Sequence, residues 1–139
     1  MAPVFQLYRF SGEEAVWWRL VSANGRGLAR SAGAYPTVAA ARSGLERVLG
    51  GAASLDLAVR LTSGYRWHWS LRLAGTAVVE GIGDQDRRVR CVAAGRRFVE
   101  LAPVALVEHD IAAFRRIGRP VPGDAGASHA GAKGVTAPF

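Results

Sequence analysis

The segment Trp18-Arg19-Leu20-Val21-Ser22-Ala23 returns, degraded, as Trp69-Ser70-Leu71-Arg72-Leu73-Ala74. The stretch from Val38 to Val48 lines up with Val89 to Val99 at the same offset of about 51 residues, with Gly44 falling on Gly95. A period near 50 residues predicts two copies of one supersecondary unit that share a core. The repeat constrains the architecture strongly. It names no reaction.

The unit can be read from its hydrophobic periods. Val4 to Phe10 alternates loosely and Val16 to Ser22 alternates well, so both read as strands. Ala23-Asn24-Gly25 is a hairpin signal, because Asn-Gly supplies the backbone angles of a tight turn. Gly27 to Ser31 is a short third strand. Thr37 to Leu49 carries Val38, Ala41, Leu45 and Val48 at helical spacing, with Gly50-Gly51 as a left-handed C-cap. Leu55 to Thr62 is a strand. From Tyr65 to Leu73 every position obeys a two-residue period: Tyr65, Trp67, Trp69, Leu71 and Leu73 share one face, Arg66, His68, Ser70 and Arg72 the other. Ala77 to Ile82 follows as a strand. Asp84 or Asp86 then caps a second helix that runs through about Leu101 with Val89, Val92 and Val99 inward and Pro103 as its stop. Val104 to Val107 reads as a closing strand. Asp110 reads as the N-cap of a short helix, about 110–117, with Ile111, Phe114 and Ile117 on one face.

These elements predict an α+β fold: two tandem β-β-β-α-β repeats that form a single mostly antiparallel sheet with both helices on one face. Residues 1–118 are expected to be one domain, with repeat one at about 4–62 and repeat two at about 55–108. The last stretch, 119–139, is rich in Gly, Ala and Pro, offers little apolar surface to offset ordering entropy, and is expected to be a flexible tail.

A chain of 139 residues, half of them apolar, suits one ordinary core. The formal charge is +7, and every basic residue except Lys133 is arginine. The positive charge is spread along the chain, which favours solubility and weak attraction to polyanions over a dedicated basic arm. Cys91 is the single cysteine, so no disulfide forms within the chain. With neither a signal peptide at the N-terminus nor a membrane-length apolar run, the expected location is the cytoplasm and no membrane partner is expected.

The run Phe5-Gln6-Leu7-Tyr8, the aromatic strand through Trp18, then Ala23-Asn24-Gly25, Ser31, Tyr35 and the helix ending Gly44-Leu45-Glu46-Arg47-Val48 resemble the YegP-like domains. The first copy matches over about residues 4–49. The second matches in outline: Ala74-Gly75 lacks the Asn, the loop before the second helix lacks the Tyr, and Arg96 stands where the first copy has Leu45. The resemblance implies a small bacterial domain of β-β-β-α-β repeats whose two units build one sheet with exchanged C-terminal strands. It implies no catalytic or binding residues.

The supply of catalytic groups is thin. His109-Asp110 reads as a helix start, Cys91 as a small apolar residue on a helix, and Asp84 with Asp86 as helix-capping carboxylates in place of a metal pair. Gly81-Ile82-Gly83 lies between a strand and a helix but matches neither nucleotide-binding pattern. No catalytic, cofactor-binding or metal-binding residue is assigned, no cofactor is expected, and the chain is not expected to be an enzyme. Trp18 and Trp69 are core anchors. Trp17 and His68 fall on the opposite face, beside Arg19, Arg60, Arg66 and Arg72 and, less centrally, Tyr8. The expected function is a non-catalytic interaction module that binds a protein partner or a second copy of itself. The alternative is binding of single-stranded DNA or RNA through Trp17, Arg19, Arg60, Arg66, His68 and Arg72, where rings stack bases and guanidinium groups neutralise phosphates.

Overall fold

The computed structural model describes residues 2–115. Seven strands form one sheet: β1 (Val4–Phe10), β2 (Trp17–Val21), β3 (Gly27–Ser31), β4 (Asp56–Leu61), β5 (Trp67–Leu73), β6 (Thr76–Gly81) and β7 (Leu106–Phe114). Helix α1 (Val38–Gly50) follows β3, and α2 (Arg88–Leu101) follows β6. The spatial order is β4-β5-β6-β3-β2-β1-β7. Every neighbouring pair is antiparallel except β1 with β7, which is parallel. The fold is thus a mixed α+β arrangement with a mostly antiparallel seven-stranded sheet and two helices.

The core lies between the helices and one face of the sheet. Alternation on β1, β2 and β5 sends Phe5, Leu7, Trp18, Leu20, Trp69 and Leu71 to that face, where all are buried. α1 contributes Ala41, Leu45 and Val48, as its spacing predicts. Its N-cap is Thr37, whose side-chain oxygen accepts from the Ala40 N–H at 3.0 Å. Gly51 closes the helix at φ −107°, so the C-cap is not left-handed.

The second helix differs from the sequence expectation. Its buried stripe is Cys91, Gly95 and Phe98; Val89 is 71% exposed, and of the expected valines Val99 packs against the core while partly buried. Helical spacing alone allowed either stripe. Gly95 decides it, because a Cβ there would collide with Leu57 and press on Trp69, so only this face lets α2 approach the sheet. Phe98 then reaches Phe5 (6.0 Å between ring centroids), Trp18 (6.4 Å) and Trp69 (6.2 Å). Neither Asp84 nor Asp86 caps α2; the residue at the cap is Arg87, with no side-chain hydrogen bond.

The expected helix at 110–117 is also corrected: residues 106–114 are one strand. Ile111 and Phe114 have helical spacing, but β1 captures them. Ile111 pairs with Leu7, Ala112 with Tyr8 and Phe114 with Phe10, after an irregularity in which β7 takes up two more residues than β1. The ladder supplies backbone partners that an isolated short helix would lack, and tertiary pairing overrides local pattern. Tyr65 lies in a turn at φ +60°, 82% exposed, so the strand begins at Trp67. Ile117 and the expected tail at 119–139 lie outside the described residues. No helix among the described residues is long and apolar enough to cross a membrane.

Candidate functional site

The sheet face away from the helices carries a row of polar and aromatic side chains set by strand register. Tyr8 of β1 is opposite Trp17 of β2, and Gln6 is opposite Arg19. Arg19 is opposite Arg30 of β3, Arg30 opposite Glu80 of β6, and Glu80 opposite Ser70 of β5. His68 is opposite Arg60, and Arg72 opposite Asp56 of β4.

Two clusters result. In the first, the Trp17 ring stacks on Tyr8 (centroids 6.5 Å, 15° between planes) from the β1 side, and the Arg30 guanidinium lies 5.2 Å from its centroid from the β3 side. Trp17 Nε1 is buried without a protein acceptor. Tyr8 and Phe10 are buried with Trp17, Ala112 and Phe114 in a satellite core. The Arg19 guanidinium sits 4.7 Å from the Phe114 ring centroid, and its Nε donates to Gln6 Oε1 at 2.8 Å. Burial lowers the Arg19 pKa, opposed by Tyr8 and Glu108.

In the second cluster His68 bridges two carboxylates. Its Nδ1 is 3.0 Å from Asp84 Oδ1 and its Nε2 is 3.6 Å from Glu80 Oε1, while Arg30 Nη2 reaches the same Glu80 oxygen at 3.5 Å. Arg66 Nη2 donates to the Asp84 carbonyl at 2.9 Å. The Glu80 carboxylate, with Asp84 adding to it, raises the His68 pKa above its ordinary 6.5 against the opposing effect of burial. His68 in turn lowers the Glu80 pKa below its ordinary 4.5. The raised histidine value stabilises the fold fully below 6.5, and this is lost as pH rises through the His68 value in the folded protein. The lowered carboxylate value stabilises fully above 4.5 and is lost as pH falls through the folded value. The pair therefore contributes most between those two limits. Thermal unfolding of the wild type and His68→Gln across pH should show the largest gap in midpoint inside that window and a shrinking gap on either side. A gap that does not change with pH would mean that His68 acts by packing alone.

Of the residues picked from sequence, Trp17 and Arg19 stand together on β2, and Arg60 and His68 together across β4 and β5. Arg66 lies in the turn before β5, and Arg72 lies at the far end of β5 beyond an irregularity at Leu71/Arg72. Sequence reasoning missed Arg30 and Glu80, which join the two clusters, and it gave Asp84 a helix cap when its partner is His68. Alternation on β3 and β6 places Arg30 and Glu80 on this face, but only the β3–β6 pairing brings them into contact. Cys91 is fully buried, and burial raises its thiol pKa. Asp84 and Asp86 diverge, Asp86 lying 4.0 Å from Arg90. His109 and Asp110 are exposed on β7. Among the described residues no three His, Cys, Asp or Glu side chains group as metal ligands.

A second feature lies at the sheet edge. β4 ends the sheet, and the outer side of its backbone faces no strand among the described residues. Beneath it, between β4 and α2, runs a groove of about 590 Å³ lined by Leu55, Leu57, Val59, Val92 and Val99 together with Arg88, Arg96 and Glu100. Leu61 at the end of β4 is 50% exposed.

The sequence matches no family model and no curated protein. Several solved structures share the fold, two of them as follows. One is the protein of unknown function YegP from E. coli (TM-score 0.65, 15% identity, 80% of this chain and 95% of that chain). The other is a UPF0339 protein from Shewanella oneidensis (TM-score 0.61, 15% identity, 86% of this chain and 97% of that chain). The sheet order, the two helices and these likenesses agree: the chain has the YegP-like fold.

Proposed function

We propose that this chain is a non-catalytic interaction module, built from two tandem β-β-β-α-β repeats that share β4, and that it binds polypeptide at the β4 edge. One observation carries the reading: among the described residues β4 presents an unpaired row of backbone donors and acceptors above a groove of mixed apolar and charged lining. That combination suits strand addition, in which backbone hydrogen bonds give affinity and a groove selects alternate side chains. The interval of about 51 residues between Trp18 and Trp69, and the sharing of one core by the strands and helices around them, support the repeat reading. A reducing cytoplasm suits the buried single thiol of Cys91.

The rival reading, single-stranded nucleic acid on the face away from the helices, draws on Trp17, Arg19, Arg60, Arg66, His68 and Arg72. The structure weighs against it locally. Tyr8 and Arg30 already flank the Trp17 ring, and Glu80, Asp84 and Asp56 lie beside His68, Arg66 and Arg72. A base would have to displace one aromatic or guanidinium neighbour, and a phosphate would meet local carboxylates.

Extended peptides selected from a random display library, titrated into isotopically labelled protein, test the reading. We expect amide shifts concentrated on Asp56–Leu61 and on the groove-lining part of α2. Shifts centred on Trp17 and Arg19, with steeply salt-dependent binding of single-stranded oligonucleotides, would transfer the function to the rival face.

A further inference from the structure

We propose that the natural occupant of the β4 edge is the β4 strand of a second copy, in an antiparallel two-fold dimer centred on Ala58. This rests on the reading of β4 as a binding edge and adds the identity of the partner. The argument is charge complementarity within one strand. β4 reads Asp56-Leu57-Ala58-Val59-Arg60-Leu61, with Asp56, Ala58 and Arg60 on the face away from the helices and Leu57, Val59 and Leu61 on the helix side. In a two-fold antiparallel pair with Ala58 facing its own copy, Asp56 of each chain stands opposite Arg60 of the other. The small Ala58 side chains meet at the axis. On the other face Leu57 stands opposite Val59 of the partner, twice, and Leu55 opposite Leu61.

Shifting the register by one pair, to put Val59 on the axis, sets Asp56 against Thr62 and Arg60 against Ala58, and both ion pairs vanish. The favoured register is therefore the one in which charge and apolar matches coincide. The neighbouring strand extends the pattern. Arg72 already lies beside Asp56, and His68 beside Arg60. Each Asp56 would then sit between Arg72 of its own chain and Arg60 of the other. The two grooves would face each other across the axis, so the half-exposed Leu61 and the apolar lining of Leu57, Val59 and Val99 become the seam of a continuous sheet.

The opposite charges at Asp56 and Arg60 make a decisive experiment possible. Sedimentation velocity from micromolar to millimolar protein should show the wild type dimerising. Arg60→Asp and Asp56→Arg each set like charges face to face at both ends of the strand, and each alone should weaken the dimer about tenfold or more. Both side chains are exposed, so folding should persist, which the spread of amide resonances checks. The double variant with both changes should recover wild-type affinity. An equimolar mixture of the two single variants should form a heterodimer, because one chain then carries two arginines on β4 and the other two aspartates. A wild type that stays monomeric at every concentration, or single variants that associate as well as it does, would overturn the proposal. If peptides still shift the β4 amides in that event, the edge reading stands and only its partner is wrong; if they do not, both fall.

Discussion

Phe98→Ala should remove about 3–5 kcal/mol of folding stability, a large share of the roughly 5–15 kcal/mol that holds a domain folded. Phe98 is fully buried and touches the rings of Phe5, Trp18 and Trp69. It touches both halves of the sheet, since Trp18 lies on β2 and Trp69 on β5. Truncation loses the transfer energy of a phenyl group and leaves a void that the neighbouring rings cannot close, because β2 and β5 hold their backbones. Phe98→Leu keeps much of the volume and should cost about 1–2 kcal/mol, by losing the edge and stacked contacts alone. Urea denaturation followed by tryptophan fluorescence measures both variants. A loss below about 1 kcal/mol for the alanine variant would show that the core closes without this ring, and that the joining of the two halves lies elsewhere.

That Phe98 is central was not visible in the sequence, and the reason is geometric. A helical period fixes how inward residues are spaced and leaves open which of two adjacent stripes is inward. Of the expected stripe Val89 turns to solvent while Val99 packs at the margin of the core; Cys91, Gly95 and Phe98 form the buried centre. The information lay in a glycine, whose value is the space it leaves. The same limit explains β7. Its apolar residues fall at helical spacing, and their partner, β1, is about a hundred residues away in sequence, where a parallel pairing leaves no local mark. Local signals fared better where the partner was the next element: Asn24-Gly25 makes its turn with Gly25 at φ +88°, the helical spacing of Ala41, Leu45 and Val48 buries that face of α1, and strict alternation places Trp69 and Leu71 in the core with His68 on the other face. The polar face was half legible. Period two put Trp17, Arg19, His68 and Arg72 on one side of their strands. The contacts that define their chemistry come from Arg30 and Glu80, which meet only because β3 lies beside β6. The openness of the β4 edge is likewise a property of strand order, which no stretch of sequence states.

Gly81→Ala should cost about 1–3 kcal/mol although it adds a single methyl group. Gly81 lies on β6 beside Trp69, and a Cβ there would sit 2.6 Å from Trp69 Cε2 and 2.8 Å from Cδ1, well inside contact distance. An indole with free space could swing away. This one is boxed: Phe98 lies against it, and a Cβ added at Gly95 would come within 3.4 Å of Trp69 Cδ2 on the helix side. The methyl group must therefore push the indole into Phe98 or push β6 out of register with β3, where Gly81 faces Ala29. Both responses strain a close-packed core. A double-mutant cycle separates them. If the indole is the obstacle, Trp69→Phe, which shortens the ring system, should make the added methyl group at Gly81 much less costly, with a coupling of about 1 kcal/mol or more. If the backbone is the obstacle, the two losses should add. A Gly81→Ala variant within about 0.5 kcal/mol of wild type would mean that Trp69 has room to move and that the tight layer between β6 and α2 does not restrain it.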